Sequence, residues 1–590
     1  MESIKDINIK ELTLKQRRGY FPSPVSWSDE VLYFLLVDRF STGNETTLYT
    51  HADNGNAIQT AASQELWKNA GNKFCGGKIK GITSKLRYLK NLGVSAIWVS
   101  PIFKQVKSLE TYHGYGIQNF LEIEPRFGTK DDLKELVAKA HSMGIYIVLD
   151  IILNHSGNVW EYSTNPAYWD DKTHEVAGFY DKNRRINPIS SIEDGIWPGE
   201  FQNISEIFTR KGQIKNWDYD PEYKEGDFCD LKDINIGSDN LSQFVPTKAL
   251  LALCEIYKYW IAYADIDGYR IDTVKHMGQA ATRFFCREIR EFAQSIGKQN
   301  FYQIGEITGG RINAFNTVEI TGLNAALGID DVQDKLEYLV KGYRNPEDYF
   351  YLFGNSKELN KDSHAWFGEH VVTMIDDHDQ VRKGENKARF CANDNGDKLI
   401  YCALALNLTT LGIPCIYYGT EQYFDGKGGS DEYIRECMFG GDFGAFRSKG
   451  VHFFNNSNPL YREISRLIEF RKRKLALKRG RQYLRQISGD GYNFGYPAMQ
   501  GGRMVSIVAW SRIFSNEELV CAINNSIDQV LTAWVTVDNR MHNIGDTFVC
   551  SFSSDEARQA IILSSVESRN GKAIYISVPP GGFAVFEKQR

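Results

Sequence analysis

A chain of 590 residues, 42% hydrophobic, 24% charged and 13% aromatic, has the composition of a globular protein long enough for several domains. Its formal net charge of −5 offers no general electrostatic case for nucleic acid or an anionic membrane as partner. No run of about 18 apolar residues occurs, so no membrane-spanning helix is expected. The opening MESIKDINIKELTLKQRRGY is charged throughout and has no apolar core, so it does not read as a secretory signal. The ten cysteines include no Cys-x-x-Cys pair, and several sit in apolar runs such as ALLALCEIY. That is the pattern of reduced thiols buried in a cytoplasmic protein, not of a disulfide framework or a zinc site.

Past an N-terminal extension of residues 1–30, short apolar runs alternate with helical stretches. Eight such runs occur: VLYFLLVDRF (31–40), SAIWVSP (95–101), GIYIVLD (144–150), DIDGYRID (265–272), NFYQIGE (300–306), NAALGID (324–330), HVVTMIDD (370–377) and LGIPCIYYG (411–419). The clearest helix is TKDDLKELVAKAHSMG, with Thr129 as N-cap, acids in its first turn and Gly144 at its end. Strand–helix alternation implies a parallel sheet, and eight units imply a closed barrel. The predicted fold is α/β: a (β/α)8 TIM barrel over 31–155 and 264–479. The stretch 156–263, rich in Asn, Asp, Gly, Trp and Tyr, is too long for a βα loop and reads as an inserted domain after strand 3. From 480 to 590 the texture becomes short alternating strands (MVSIVAWS, LVCAINN, AIYISV), which predict a C-terminal antiparallel β-sandwich.

Two stretches imitate binding motifs. FCGGKIKG is glycine-rich with lysines but lacks the spacing of a phosphate loop. RKRKLALKRGR (471–481) reads as cations closing the last barrel helix, with Gly480 as terminator, and not as a nucleic-acid patch.

Barrels of this kind place their chemistry at the C-terminal ends of the strands. Those ends carry Asp150, Asn154 and His155 in DIILNH, Arg270 and Asp272 in GYRIDTVKH, Glu306 in GE, and Asp377, His378 and Asp379 in DDHD. Strand alternation points Arg270 and Asp272 the same way. A guanidinium beside Asp272 is expected to keep it ionised, as a carboxylate nucleophile requires. Glu306, on the next strand and less solvated, would hold its proton to higher pH and serve as acid. Two carboxyls on adjacent strands suit the spacing of about 5–5.5 Å used in retaining glycoside cleavage. His155 and His378 suit hydroxyl contacts, and TYHGYG (111–116) offers His113 and the flat face of Tyr115.

DIILNH, GYRIDTVKH, GE and DDHD, in this order, resemble the four signature segments of the α-amylase family of glycoside hydrolases. YHGYG, RFGTKDDLKELV, GIPCIYYGTEQ and VPPGGFAVFE resemble its other recurring pieces, so the likeness runs from about residue 31 to the C-terminus. It implies Asp272 as nucleophile, Glu306 as acid/base and Asp379 as transition-state stabiliser. Arg270, His155, His378, Tyr115 and His113 would hold the sugar at the cleaved bond, and Lys275 and His276 the leaving-group side. The resemblance also implies one structural Ca²⁺ held by Asn154, Asp230 and the backbone carbonyl of His276, oxygen ligands of the kind this ion takes. Two departures stand out. Asp377 replaces the usual Asn, and Thr42 and Lys78 stand where a second calcium site of cyclodextrin-forming members would need acids. The implied activity is retaining hydrolysis of α-1,4-glucosidic bonds in starch, glycogen or maltooligosaccharides. Transglycosylation by the same site (a 4-α-glucanotransferase or a cyclodextrin-forming or -degrading enzyme) is the alternative. A non-catalytic carbohydrate-binding relative is disfavoured because all three carboxylates are present.

Overall fold

The structure is a computed structural model that describes residues 3–16, 19–44, 70–164, 166, 168–327, 332–353, 363–379, 382–383, 385–439 and 454–589. Eight parallel strands close a barrel: β1 (Leu32–Leu35), β2 (Ala96–Val99), β3 (Tyr146–Ile151), β4 (Gly268–Ile271), β5 (Tyr302–Glu306), β6 (Ala325–Leu327), β7 (Val371–Thr373) and β8 (Ile413–Tyr417). Each strand pairs with its successor in the chain, and β1 closes the ring against β8. Every one of the eight apolar runs supplies a strand. The strands read as unbroken apolar runs because a parallel barrel buries both faces, the inside by packing and the outside under helices.

The helix Lys130–Ser142 shows the local logic. The Thr129 hydroxyl accepts the Asp132 N–H at 3.2 Å while the Asp132 carboxylate takes the Thr129 N–H at 2.9 Å. That reciprocal cap satisfies two otherwise orphaned donors and starts the helix where the sequence predicts. The turn after it passes through Gly144 at φ +67°.

The inserted domain is shorter than the sequence suggests. Helix Lys248–Ala264, assigned above to the insertion, packs on the barrel: Trp260 Nε1 donates to the Phe120 carbonyl (2.9 Å) and the Tyr257 hydroxyl to that of Ile152 (2.6 Å). The insertion therefore ends near 247. Its chain returns to the barrel rim through an antiparallel pairing of Lys232–Asp233 with His155–Ser156, which sets Asp233 opposite His155. The C-terminal part forms two antiparallel sheets, of six and four strands, with their own apolar core around Val520, Val535, Ile574 and Phe586.

The two motif-like stretches have internal roles. In FCGGKIKG, the N–H groups of Cys75 and Gly76 bind the buried carboxylate of Asp38 at 2.8–3.1 Å. In the basic run, Arg471 donates to the carbonyls of Leu408 and Ser28, and Lys474 pairs with Glu517 at 3.1 Å. The ten cysteines are all free, and only Cys229 is exposed. Among the described residues no helix is long and apolar enough to cross a membrane.

Candidate active site

The C-terminal ends of β3, β4 and β5 meet at one side chain. Arg270, fully buried on β4, donates from Nη1 to Asp150 Oδ1 (2.9 Å) and Asp272 Oδ1 (2.7 Å), and its Nη2 lies 3.0 Å from Glu306 Oε1. One planar guanidinium thus gathers three carboxyls from three strands, the bidentate-capable geometry that arginine supplies and lysine does not. Glu306 also accepts the Thr273 N–H at 2.9 Å.

Three acids share one cation, and burial decides the balance. Burial raises Asp272 to about 6 against the pull of Arg270, with Asp150 adding to the rise. Arg270 opposes that rise, but its charge is divided between Asp150, Asp272 and Glu306, so Asp272 stays above the ordinary carboxylate range while still ionised near neutrality. Glu306 goes higher, to about 7, through burial first and then the nearby charges of Asp272 and Asp379, with Arg270 opposing. Asp379 moves the other way. Burial alone would raise it, but the charges of Lys387 and Arg435 outweigh that and hold it at about 2. Near neutrality the site therefore offers ionised Asp272 and Asp379 beside a Glu306 that still carries a proton part of the time.

Rings complete the pocket. The Tyr115 hydroxyl donates to Asp150 Oδ2 (2.9 Å) and lies 3.0 Å from His378 Nε2, with the two rings nearly parallel. His113 takes the Tyr115 N–H on Nδ1 at 3.1 Å. His155 is 1% exposed, yet neither of its ring nitrogens has a hydrogen-bond partner among the described residues, and neither does His378 Nδ1. Burial pushes His113 and His155 down to about 3, so they present neutral imidazoles. Unpartnered buried nitrogens facing a cavity of about 390 Å³ are suited to hydroxyl groups brought by a ligand. Lys275 Nζ binds Asp218 of the insertion at 2.8 Å, and the His276 Nδ1–H donates to the Tyr223 carbonyl at 2.5 Å. Trp217 and Phe228 meet the His276 ring edge-on, so the insertion walls the cavity beside Lys275 and His276.

All ten predicted catalytic and substrate-contact residues line this cavity or bond directly to residues that do: Asp272, Glu306, Asp379, Tyr115, His113, His155, Arg270, Lys275, His276 and His378. Asp377 keeps its carboxylate occupied, taking the Asp379 N–H at 2.7 Å and the Gln333 amide at 2.7 Å. The sequence reading does not include several contributors, among them Trp217 and Phe228 of the insertion, Asp431, Arg435 and Lys387. Asp431 and Arg435, four residues apart after β8, sat at a predictable rim position but in no periodic pattern. Lys387 carried no signal at all.

The metal-ligand set needs one correction. Asp230 is exposed and its Oδ2 accepts from Asn158 at 3.1 Å, so it is not brought to Asn154. Asp233 is, at 3.4 Å from the Asn154 amide, 1% exposed, with the Thr209 hydroxyl at 2.7 Å as its other side-chain partner. No Lys or Arg pairs with Asp233 among the described residues, and burial holds its carboxyl well above the usual range. A buried carboxylate with neutral contacts fits a nearby cation. No group of three or more His, Cys, Asp or Glu able to hold a metal occurs among the described residues, so a site here would rest on amide and carbonyl oxygens around one carboxylate.

A family model described as "Alpha amylase, catalytic domain" matches residues 34–450. An alpha-amylase of Streptomyces lividans is 29% identical over 507 residues, covering 78% of this chain and 52% of its own length. A cyclomaltodextrin glucanotransferase of Klebsiella oxytoca is 29% identical over 447 residues, covering 70% of this chain and 62% of its own. The chain thus spans little more than half the length of these curated relatives. Among solved structures, an alpha-amylase from Geobacillus thermoleovorans complexed with acarbose superposes with a TM-score of 0.67 at 22% identity, covering 96% of this chain and 100% of that one. A cyclomaltodextrin glucanotransferase with a three-domain ABC distribution gives 0.67 at 23%, with 96% and 100% covered. These likenesses are of fold. With the family model matched over well more than half of its length, and with the strand-end carboxylates assembled around Arg270, the chain belongs to the α-amylase family of glycoside hydrolases.

Proposed function

We propose that the protein is a retaining α-glucan hydrolase that cleaves α-1,4-glucosidic bonds through a covalent glycosyl-enzyme. The observation that carries this reading is Arg270 holding Asp272 and Glu306 together while their surroundings separate their proton affinities. Glu306 donates its proton to the glycosidic oxygen as Asp272 attacks the anomeric carbon from the other face. The sugar is then esterified to Asp272, and Glu306, now a carboxylate, takes a proton from water as that water displaces Asp272. Asp379, ionised, opposes the positive charge that develops on the ring. The neutral nitrogens of His155 and His378 orient hydroxyls, and Tyr115 offers a stacking face.

Two displacements at one carbon give net retention. The first product from a maltooligosaccharide is therefore expected as the α anomer in a fresh NMR time course, and the β anomer appearing first would overturn the mechanism. Products from starch, pullulan, cyclodextrins and maltooligosaccharides then test the substrate. Transfer to a sugar hydroxyl is the second reading, favoured by the cyclomaltodextrin glucanotransferases among the relatives. Cyclic or lengthened products would select it.

We further propose a structural Ca²⁺ beside the rim, held by Asn154, Asp233 and the backbone carbonyl of His276. Its role would be to tie the insertion to the strand end that carries Asp272. An ion present at about 100 times its Kd and binding only the folded state adds about 2.7 kcal/mol. Chelation is expected to lower Tm, with Ca²⁺ restoring it. Asp233→Asn should abolish that response and Asp230→Ala should leave it. A Tm unmoved by exhaustive chelation, with no calcium by elemental analysis, would remove the site.

A further inference from the structure

A cation that touches Asp379 comes from a part of the chain outside every signature segment. Lys387 stands on the short strand Asn386–Ala388, the middle of a three-stranded sheet whose edge strands are Arg382–Lys383 and Lys427–Gly428. It is 7% exposed. Its ammonium donates to the main-chain carbonyl of Asp379, to Asp379 Oδ1 at 3.0 Å and to Asp431 Oδ1 at 2.8 Å. Asp431 in turn holds Arg435 (3.1 Å), and Arg435 Nε donates to the His378 carbonyl at 2.9 Å. The main chain at 378–379 is thus gripped from both sides. Asp377, receiving the Asp379 N–H, closes a third. A lysine this buried forfeits rotamer freedom and hydration, a cost that an ordinary surface ion pair does not recover.

We propose that Lys387 is a positioning residue for glycosidic cleavage: by bonding both the carboxylate and the main-chain carbonyl of Asp379, it fixes that carboxylate, ionised, toward the cavity shared with Asp272 and Glu306. The inference rests on the proposed function and adds to it a residue on a separate β element. The Asp379 side chain is 38% exposed, so solvent is open to it and the bond from Lys387 draws it toward the cavity. Its ionisation rests on the same contact. Among the described residues, the charged groups around it are Lys387 and Arg435 on the favourable side, and Glu306, Asp272, Asp377 and Asp431 on the other, with Arg270 engaged by its own carboxylates. Removing Lys387 tips that balance toward the protonated form.

The test is kcat, KM and the pH profile of Lys387→Met, Lys387→Gln and Lys387→Arg on one soluble maltooligosaccharide, with Tm measured in parallel. A displaced reacting group costs about 100-fold, so the Met and Gln variants should lose roughly that in kcat with KM changed little. The acid limb of their profile should move to higher pH, since Asp379 then takes up its proton nearer the range where Asp272 does. The Arg variant, which keeps the charge, should recover most of the kcat and the original limb. Unchanged kcat in Met and Gln overturns the inference. So does a loss that Arg does not relieve and that leaves the acid limb in place, because that is the behaviour of a residue that only supports the fold. Wild-type inactivity on every α-glucan would remove the proposed function and this inference together, whereas wild-type turnover with unaffected variants would remove the inference alone.

Discussion

Asp272→Asn is expected to lower turnover of α-glucans by about 10⁴- to 10⁶-fold, the scale reached when a covalent nucleophile is removed from groups that act as a unit. The amide cannot form the glycosyl ester, so Glu306 has nothing to assist. The fold should survive. Arg270 keeps Asp150 at 2.9 Å and Glu306 at 3.0 Å, so its charge is not left unpaired, and one of three crowded carboxylates is gone. Tm should therefore stay within a few degrees of wild type. A second readout follows from sign: ionised Asp272 raises the Glu306 pKa, so its loss should move the Glu306 titration to lower pH. Turnover within tenfold of wild type would dismiss Asp272 as nucleophile.

Why so much of this site was legible in the sequence is a matter of where a parallel barrel puts polar groups. The strands are covered on both sides, so a charged residue closing an apolar run has little choice but the rim. Asp150, Asp272, Glu306 and Asp379 all obey that rule. Helix Lys248–Ala264 was misassigned for the same physical reason. ALLALCEIYKYWIAYA is buried around most of its circumference, so it lacks the polar stripe that marks a surface helix, and it follows directly on the polar insertion. Asp230 and Asp233 are three residues apart in FCDLKDIN. Which one meets Asn154 depends on the pairing of Asp233 with His155 across about 78 residues of chain, a register no local pattern encodes.

The proton affinities were legible only in part. That Glu306 would rise above Asp272 follows from its position, but the level of Asp272 depends on how many acids draw on Arg270. The sequence shows one arginine and one aspartate two residues apart. It does not show that Asp150 and Glu306 converge on the same guanidinium from neighbouring strands. Asp379 illustrates the reverse case. Its low pKa comes from Lys387 and Arg435, which loops and a short sheet deliver from positions unrelated to any strand end.

Glu306→Gln is expected to cost about 10²- to 10⁴-fold on natural glucans, the usual contribution of general acid catalysis, and to spare the first step on substrates that need no acid. An α-glycosyl fluoride supplies such a case, because fluoride departs without a proton. With it, Asp272 should still be glycosylated, so the first step survives while the second, which needs Glu306 as base, remains slow. The glycosyl-enzyme should then accumulate and appear by intact mass as one added glycosyl unit on a peptide containing Asp272. A small anionic nucleophile such as azide, which needs no base, should release it as the α-configured azide. The pH profile carries the same assignment. In the wild type, activity on glucans should fall as pH rises through about 7, where Glu306 loses the proton it must donate, and Glu306→Gln should lose that alkaline limb. If the fluoride neither labels Asp272 nor, with azide present, is turned over better than a natural glucan relative to wild type, or if the limb persists in the variant, another group is the acid and the roles drawn for β4 and β5 must be reassigned.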